Sequence, residues 1–562
     1  MVIFAPLTSF DMKIKVLLTL TFATAVFSLS AQNKKTVSAA NTTLPRPKLV
    51  VGLVVDQMRW DYLYRYYDRY QAGGFKRMLN EGFTCENTLI PYIPTVTAIG
   101  HSSIYTGSVP AIHGIAGNDF IVQATGKSMY CTDDSTVVAV GSTSIAGKMS
   151  PRNLLVSTVT DELRLATNFR SKVIGIALKD RGGILPGGHA ANAAYWFDDA
   201  NGAWISSTYY MTELPAWVKN FNDSKPAETY LKKDWNTLYP INTYVQSAAD
   251  NSPKYEGKFA GADAPTFPIK TSELYKGRAG MIRSTPFGNS MTLDLAKAAV
   301  ENEKLGAGSV TDFLAVSLSS TDYVGHQFGP NSVEAEDTYL RLDKDLAAFF
   351  TYLDGKLGKG NYTVFLSADH GAAHNANYLI DHKIPAGAWK SSSLQTRLNT
   401  MLEDKYKAKG LVISLDNYQI NFSNAIIKKE NINVESLKYD CIQFLQQEPE
   451  IAFAVDMQRV QTATIPDELR TRIQNGYNVQ NSGTIQIILK PGWYSGGQTG
   501  TTHGTWNPYD AHIPLVFMGW GVKHGSLTRE THMTDIAPTV AELLHIQAPN
   551  GNIGTAISEV LK

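Results

Sequence analysis

"DFLAVSLSSTDYVGHQFGP", residues 312–330, runs from a nearly continuous apolar segment straight into Asp322, Gly325, His326 and Gly329. Two readings fit this fragment. In one, Asp322 caps a helix and His326 lies in water; in the other, a strand ends in a metal site, with a turn swinging His326 onto the ion that Asp322 holds. The fragment leaves both open, and the rest of the chain has to discriminate.

The same pattern recurs. "KLVVGLVVDQM" (48–58) is a strand by its β-branched content and ends at Asp56; "KVIGIALKDRGG" (172–183) ends at Lys179 and Arg181; "NYTVFLSADHG" (361–371) ends at Asp369 and His370; "IPLVFMGWG" (513–521) is a fifth run. Amphipathic helical stretches such as 335–358 lie between them. Continuous apolar strands alternating with helices predict an α/β fold, a largely parallel central sheet with helices on both faces. Ligands of such sheets bind outside the carboxyl ends of the strands, where the acidic, basic and imidazole residues gather here. Two stretches break the rhythm and read as inserted caps: about 185–290, rich in Trp, Tyr, Asn, Asp and Pro, and about 375–500, with short strands and helices of its own.

Composition narrows the function classes. With 562 residues, 43% of them apolar, the chain can bury a sizeable core. Its 51 basic residues balance 51 acidic ones without a basic run, which argues against nucleic acid as a dedicated partner. From Met12, which reads as a possible true start, two lysines precede an apolar run over 16–29 and small residues near Ala31. That is a secretory signal, predicting cleavage near residue 31 and a periplasmic or secreted product. The run is short for a bilayer, and no later stretch is apolar enough to form a transmembrane anchor. Three cysteines make no disulfide framework; Cys85 and Cys131 could pair or stay free, and Cys441 is left over.

The candidate ligands form two sets. Zinc takes imidazole and carboxylate, and a catalytic site keeps one position open. Asp322 and His326 make two ligands of one site; Asp369 and His370 make two of another, with Asp56 on a neighbouring strand. His503, in "GTTHGTW", has the loop composition of a residue exposed to a cleft. A lone Asp or His at a strand end is usually structural, but six such positions on one fold are not explained that way. The remaining histidines read as surface, turn or supporting residues, with His374 a candidate partner behind His370. For a nucleophile, "IPTVTAIGHSSIYTGSVPAIHGIAGND" (93–119) places Thr97 at the start of a helix-like run. There, free backbone N–H groups favour an alkoxide or a phosphoryl oxygen. Taken alone, Thr95 or Thr97 would be an ordinary helix cap.

Pro94-Thr-x-Thr97 with His101, Thr106-Gly107, Pro110, His113-Gly114-Ile115 and Asn118 resembles the nucleophile segment of the alkaline phosphatase superfamily, nearest its nucleotide pyrophosphatase/phosphodiesterase branch. Asp322-x-x-x-His326, Asp369-His370-Gly371 and the late His503 match that superfamily's ligands in the same order, and the likeness runs from Lys48 to the C-terminus outside the insertions. The resemblance implies two zinc ions, one held by Asp322, His326 and His503, the other by Asp56, Asp369 and His370. Thr97 would be the nucleophile, forming a phosphothreonine and itself a ligand.

"LKDRGG" separates the branches. In an extended segment Lys179 and Arg181 would point to one side, and two cations suit a phosphate monoester, which carries more unesterified oxygen charge than a diester. Together with Asn118, the pair resembles the PafA-type periplasmic alkaline phosphatases, with Asn118, Lys179 and Arg181 holding the non-bridging oxygens. A phosphodiesterase of the same superfamily is the alternative. Sulfatases need a Cys-x-Pro-x-Arg frame, which the sequence lacks.

Overall fold

The computed structural model describes residues 44–250 and 252–562; the signal segment and the cleavage position lie outside them. Eight strands carry the architecture: β1 (Leu49–Val55), β2 (Phe83–Leu89), β3 (Val173–Ala177), β4 (Ala193–Asp198), β5 (Ala203–Ser207), β6 (Asp312–Leu318), β7 (Tyr362–Ser367) and β8 (Leu515–Gly519). They lie in the order β2–β8–β7–β1–β6–β3–β4–β5 in a sheet extended at its edges by shorter strands. β1 pairs in parallel with β6 on one side and β7 on the other, β3 pairs in parallel with β6, and β4 with β3. β8 runs antiparallel to both β7 and β2, and β5 antiparallel to β4. The fold is thus α/β, mixed but mostly parallel.

The physical reason is visible in burial. Every residue of β1, β3, β6 and β7 is buried, which requires helices on both faces and excludes an alternating, half-wet strand. Helices α1 (Thr97–Thr106), α2 (Asp180–Gly187), α3 (Ser320–Phe328) and α4 (Val333–Leu357) follow or flank these strands. β1, β3, β6 and β7 are four neighbouring strands pointing the same way, so residues following their carboxyl ends share one edge of the sheet. That places Asp56, Lys179, Asp322 and Asp369 together.

Two local expectations are corrected. Asp322 and His326 are not joined by a turn; both lie on α3, four residues apart and so on one helix face. Lys179 and Arg181 are not on one side of an extended segment either. Lys179 is the extended N-cap of α2 and Arg181 belongs to its first turn, so the chain bends between them and they approach the site from different directions.

Within 185–290, β4 and β5 belong to the central sheet, and the chain then leaves it as short helices such as Ala216–Asp223 and Pro226–Leu231. Within 375–500 lies a separate four-stranded sheet of Val412–Ser414, Gln419–Phe422, Ile485–Leu489 and Ile451–Asp456. Its own core includes Leu398, Ile420, Leu437 and Ile487. The three cysteines are buried and free, so Cys85 and Cys131 do not pair in this structure.

Candidate active site

α1 begins at Thr97 with Val96 as an extended N-cap that offers no side chain to the first turn. The free N–H groups of that turn are therefore available to other partners. One of them, Ala98 N–H, donates to Asn118 Oδ1 at 2.9 Å. This fixes the orientation of the Asn118 amide and leaves its NH2 group to donate elsewhere. Gly100 lets the helix approach this closely: a Cβ there would stand 2.4 Å from the Asp369 carbonyl oxygen. Thr97 is buried, its Oγ1 3.3 Å from His370 Nε2 and 3.4 Å from Lys179 Nζ.

Around that hydroxyl the predicted ligands converge. Asp322, His370 and His503 present donor atoms within 4.8 Å of one another, as do Asp56, Asp369 and His370. His370 thus belongs to both groups, its ring stacked on His503 at 3.5 Å. His326 Nε2 lies 3.1 Å, and His503 Nε2 3.7 Å, from Asp322 Oδ1. Backbone carbonyls hold the far side of these rings: His326 Nδ1 faces Thr501 O, His503 Nδ1 faces Thr95 O and His370 Nδ1 faces Gly371 O. Each ring accordingly turns Nε2 inward, the arrangement of a metal ligand whose second nitrogen is anchored.

The electrostatics show what is missing from the protein alone. Asp56, Asp322 and Asp369 are all buried, and Lys179 Nζ, 2.6 Å from both Asp56 and Asp322, is the cation placed between them. Burial, and then the Asp369 charge, push the Asp56 carboxyl well above the usual carboxylate range despite Lys179. Among the described residues Asp56 Oδ1 has no hydrogen-bond partner, while Asp56 Oδ2 is paired with the Lys179 ammonium at 2.6 Å and Asp369 Oδ2 stands 3.4 Å from His101 Nδ1. Burial holds the imidazoles of His370 and His503 below the usual histidine range, which keeps them as neutral lone-pair donors. Burial opposes the positive form of His326 as well, but the Asp322 carboxylate outweighs it and raises that group. Buried carboxylates, one with an orphaned oxygen, beside neutral, inward-facing imidazoles are the donor set of divalent cations of the zinc type. The residues fit such ions.

Arg181 donates through Nη1 to the Tyr130 hydroxyl at 2.9 Å, which in turn donates to Asp180 Oδ1 at 2.7 Å. Its charge is near enough to act on the Lys179 ammonium, and its buried Nε has no hydrogen-bond partner. The structure thus links Thr97, Asn118 and Lys179 to the candidate ligands by direct contacts, and Arg181 by its charge on Lys179.

Several contributors were missed. Gln57 donates through Nε2 to Asp322 Oδ1 at 2.6 Å and through its backbone N–H to Asp369 Oδ1 at 3.1 Å, tying the two carboxylates together. Gly325 is needed for this, since a Cβ there would meet Gln57 Oε1 at 1.9 Å. His101 bridges the Thr97 carbonyl and Ser317 Oγ while standing 3.4 Å from Asp369 Oδ2. The Tyr323 ring lies under Lys179 at 5.1 Å. A glutamine directly after a strand-end aspartate was one available signal, and His101 stood in the quoted motif without an assigned role; Tyr323 depends on tertiary placement.

Comparison with known proteins gives the family. The family model of Type I phosphodiesterase / nucleotide pyrophosphatase matches residues 50–512, and the chain belongs to that family. Within it the likeness is to the PafA-type alkaline phosphatases. Alkaline phosphatase PafA of Elizabethkingia meningoseptica is 52% identical over 92% of this chain and 95% of its own. Alkaline phosphatase PhoV of Synechococcus elongatus is 54% identical over 98% and 100%. A Myroides odoratus protein described as a calcium-transporting ATPase is 60% identical over 93% and 96%. A crystal structure of wild-type PafA superposes with a TM-score of 0.91, covering 92% of this chain and all of that one.

Proposed function

We propose that the chain is an exported two-zinc alkaline phosphatase, a phosphoric monoester hydrolase that releases inorganic phosphate and an alcohol through a phosphothreonine on Thr97. The phosphatase activity rests on relatives named alkaline phosphatases at 52–54% identity along nearly the whole chain. The observation that carries the mechanism is the placement of Thr97 Oγ1 between His370 and Lys179 at the open start of α1.

Asp322, His326 and His503 would hold one ion, and Asp56, Asp369 and His370 the other. When bound, the ions supply Lewis-acid charge that favours the deprotonated hydroxyl and stabilises the entering and leaving oxygens of an in-line displacement. The protein's own part follows from position. Thr97 Oγ1 bonds to phosphorus as the bond to the ester oxygen breaks, and the alcohol departs. Water then cleaves the phosphothreonine and phosphate is released. The first-turn N–H groups of α1, the Asn118 amide and the Lys179 and Arg181 cations face the non-bridging oxygens. Such fixed donors act where charge develops, in a site from which water is largely excluded.

The charge count favours monoesters. A monoester dianion matches two cations, whereas a diester carries one charge and a second substituent that would crowd them. The ATPase description of the Myroides relative is compatible with attack on a terminal phosphoryl group, which likewise carries three unesterified oxygens. Among the described residues no helix is long and apolar enough to cross a membrane. Acid quenching during turnover tests the covalent route: phosphate is expected on Thr97, and its absence under conditions that trap substrate would remove the route.

A further inference from the structure

The separate sheet within 375–500 packs Val455 and Ile488 against Ile93 of the nucleophile segment, and one of its hairpins, which is strained, reaches the residues around Asn118 and His503. Between its strands Val412–Ser414 and Gln419–Phe422, Asn417 and Tyr418 both adopt the left-handed conformation, with φ of 58° and 57°. Two consecutive non-glycine residues there are costly, and an aromatic one especially so; such strain persists only where surrounding contacts enforce it. Those contacts are specific. Asn417 Nδ2 donates to the Asp119 carbonyl at 2.8 Å. The same nitrogen lies against Gly117, where a Cβ would approach it to 2.3 Å. Asn417 therefore grips the residues on both sides of Asn118. Tyr418 is buried, its hydroxyl accepting from Ser495 N–H at 3.1 Å, its carbonyl accepting from Gln486 Nε2 at 2.9 Å and its ring stacked with Trp389. The other edge of that ring faces Gly504, where a Cβ would stand 2.9 Å away, directly after His503.

We infer that this hairpin is a positioning element of the phosphatase site: Asn417 sets the Asn118 amide against the phosphoryl group, and Tyr418 backs the His503 loop. The inference rests on the reading above, in which Asn118 contacts the transferred phosphoryl. Asn118 sits in the short linker between the helix Pro110–His113 and the strand Asp119–Val122. Its Oδ1 is fixed by Ala98 N–H at 2.9 Å and its carbonyl by Cys131 N–H at 2.8 Å, while Asn417 holds the carbonyl of the next residue, Asp119, and lies against Gly117 before it. Loss of the Asn417 side chain removes one of the anchors of that linker, and a small displacement is enough to misalign a donor in a transition state. The separate sheet, with its own core, thus becomes part of the catalytic apparatus.

The test is a double-mutant cycle on the zinc-loaded full chain with an aryl phosphate monoester. Asn417→Gly removes the amide while tolerating the positive φ, so it isolates the contact from the strain. It is expected to lower kcat/KM about tenfold with zinc content unchanged, as expected for a misplaced catalytic group. In an Asn118→Ala background the same change is expected to cost less than about twofold, because nothing remains for it to position. Equal losses in both backgrounds, or no loss in the first, would overturn the inference. If Asn118→Ala itself left the rate untouched, the phosphoryl role of Asn118 would fall, and the positioning role with it. Should Asn417→Gly fail to fold, Asn417→Asp removes the Nδ2 donor to the Asp119 carbonyl and is expected to lower kcat/KM comparably, an unchanged rate overturning the first half; Tyr418→Ala is expected to lose zinc first from the His503 site. Unchanged zinc retention in Tyr418→Ala would overturn the second half.

Discussion

The central and inserted sheets relate to the chemistry in opposite ways. β1, β3, β6 and β7 are fully buried, parallel and adjacent, and each is followed within four residues by a charged group: Asp56, Lys179, Asp322 at the start of α3, and Asp369 with His370. The inserted sheet is antiparallel, and none of the proposed ligands lies on its strands; it reaches the site through a hairpin and through the loop that follows it to His503. A parallel sheet with all its strand ends on one edge concentrates charge where little water can compensate it, which demands metal ions and cations. An antiparallel insertion supplies rigid edges instead.

The sharpest way to break this contrast is at Thr97, where the central sheet's chemistry meets α1. Thr97→Ala is expected to lose about 10³-fold or more of kcat, as removal of a nucleophile does, while Thr97→Ser retains a substantial part. Near-equal rates for the two variants would show that the hydroxyl is not the attacking group. His503→Ala comes next, because His503 is the ligand carried outside the central strands. It should reduce bound zinc from about two ions per chain towards one, with activity lost on chelation and restored by zinc. Full zinc content by elemental analysis in that variant would contradict the ligand assignment. The smallest functional effect is expected deep in the inserted sheet's core. Leu437, fully buried on the helix Val434–Leu445, should cost about 3 kcal/mol of stability as Leu437→Ala, the range for a buried leucine truncation. With zinc present, its kcat/KM should stay within about twofold of the unsubstituted protein, which would separate the sheet's folding role from the hairpin's positioning role. A large rate loss there would mean that the whole sheet, and not the one hairpin, sets the site.

The parts legible in sequence were those governed by short range. Continuous β-branched runs and their terminal charges gave the parallel sheet and the edge that binds. Candidate metal-ligand residues were likewise readable, because Asp322 with His326 and Asp369 with His370 are neighbours along the chain, although the groups that converge are Asp322, His370 and His503 and Asp56, Asp369 and His370. What was not legible depends on tertiary approach. The bend that parts Lys179 from Arg181 comes from α2 starting at once after the strand, a helix start with no capping side chain to announce it. The α3 helix was hidden by Gly325, a poor helix residue retained because Gln57 occupies the space a side chain would need. His101 was legible as part of the nucleophile-segment pattern but not in its contacts, and Tyr130 and Tyr323 look like ordinary core or surface residues until the elements carrying them are packed together.

The most direct measurement is kcat/KM for an aryl phosphate monoester and a matched diester, made side by side on the zinc-loaded enzyme and on its Lys179→Ala/Arg181→Ala variant. The account predicts a monoester preference that narrows or reverses in the variant. The monoester rate should fall about a hundredfold or more, the cost of about 3 kcal/mol for losing well-aimed charged donors, and the diester rate much less. A diester preference in the unsubstituted enzyme, or equal losses for both substrates, would contradict it and leave the phosphodiesterase reading in its place.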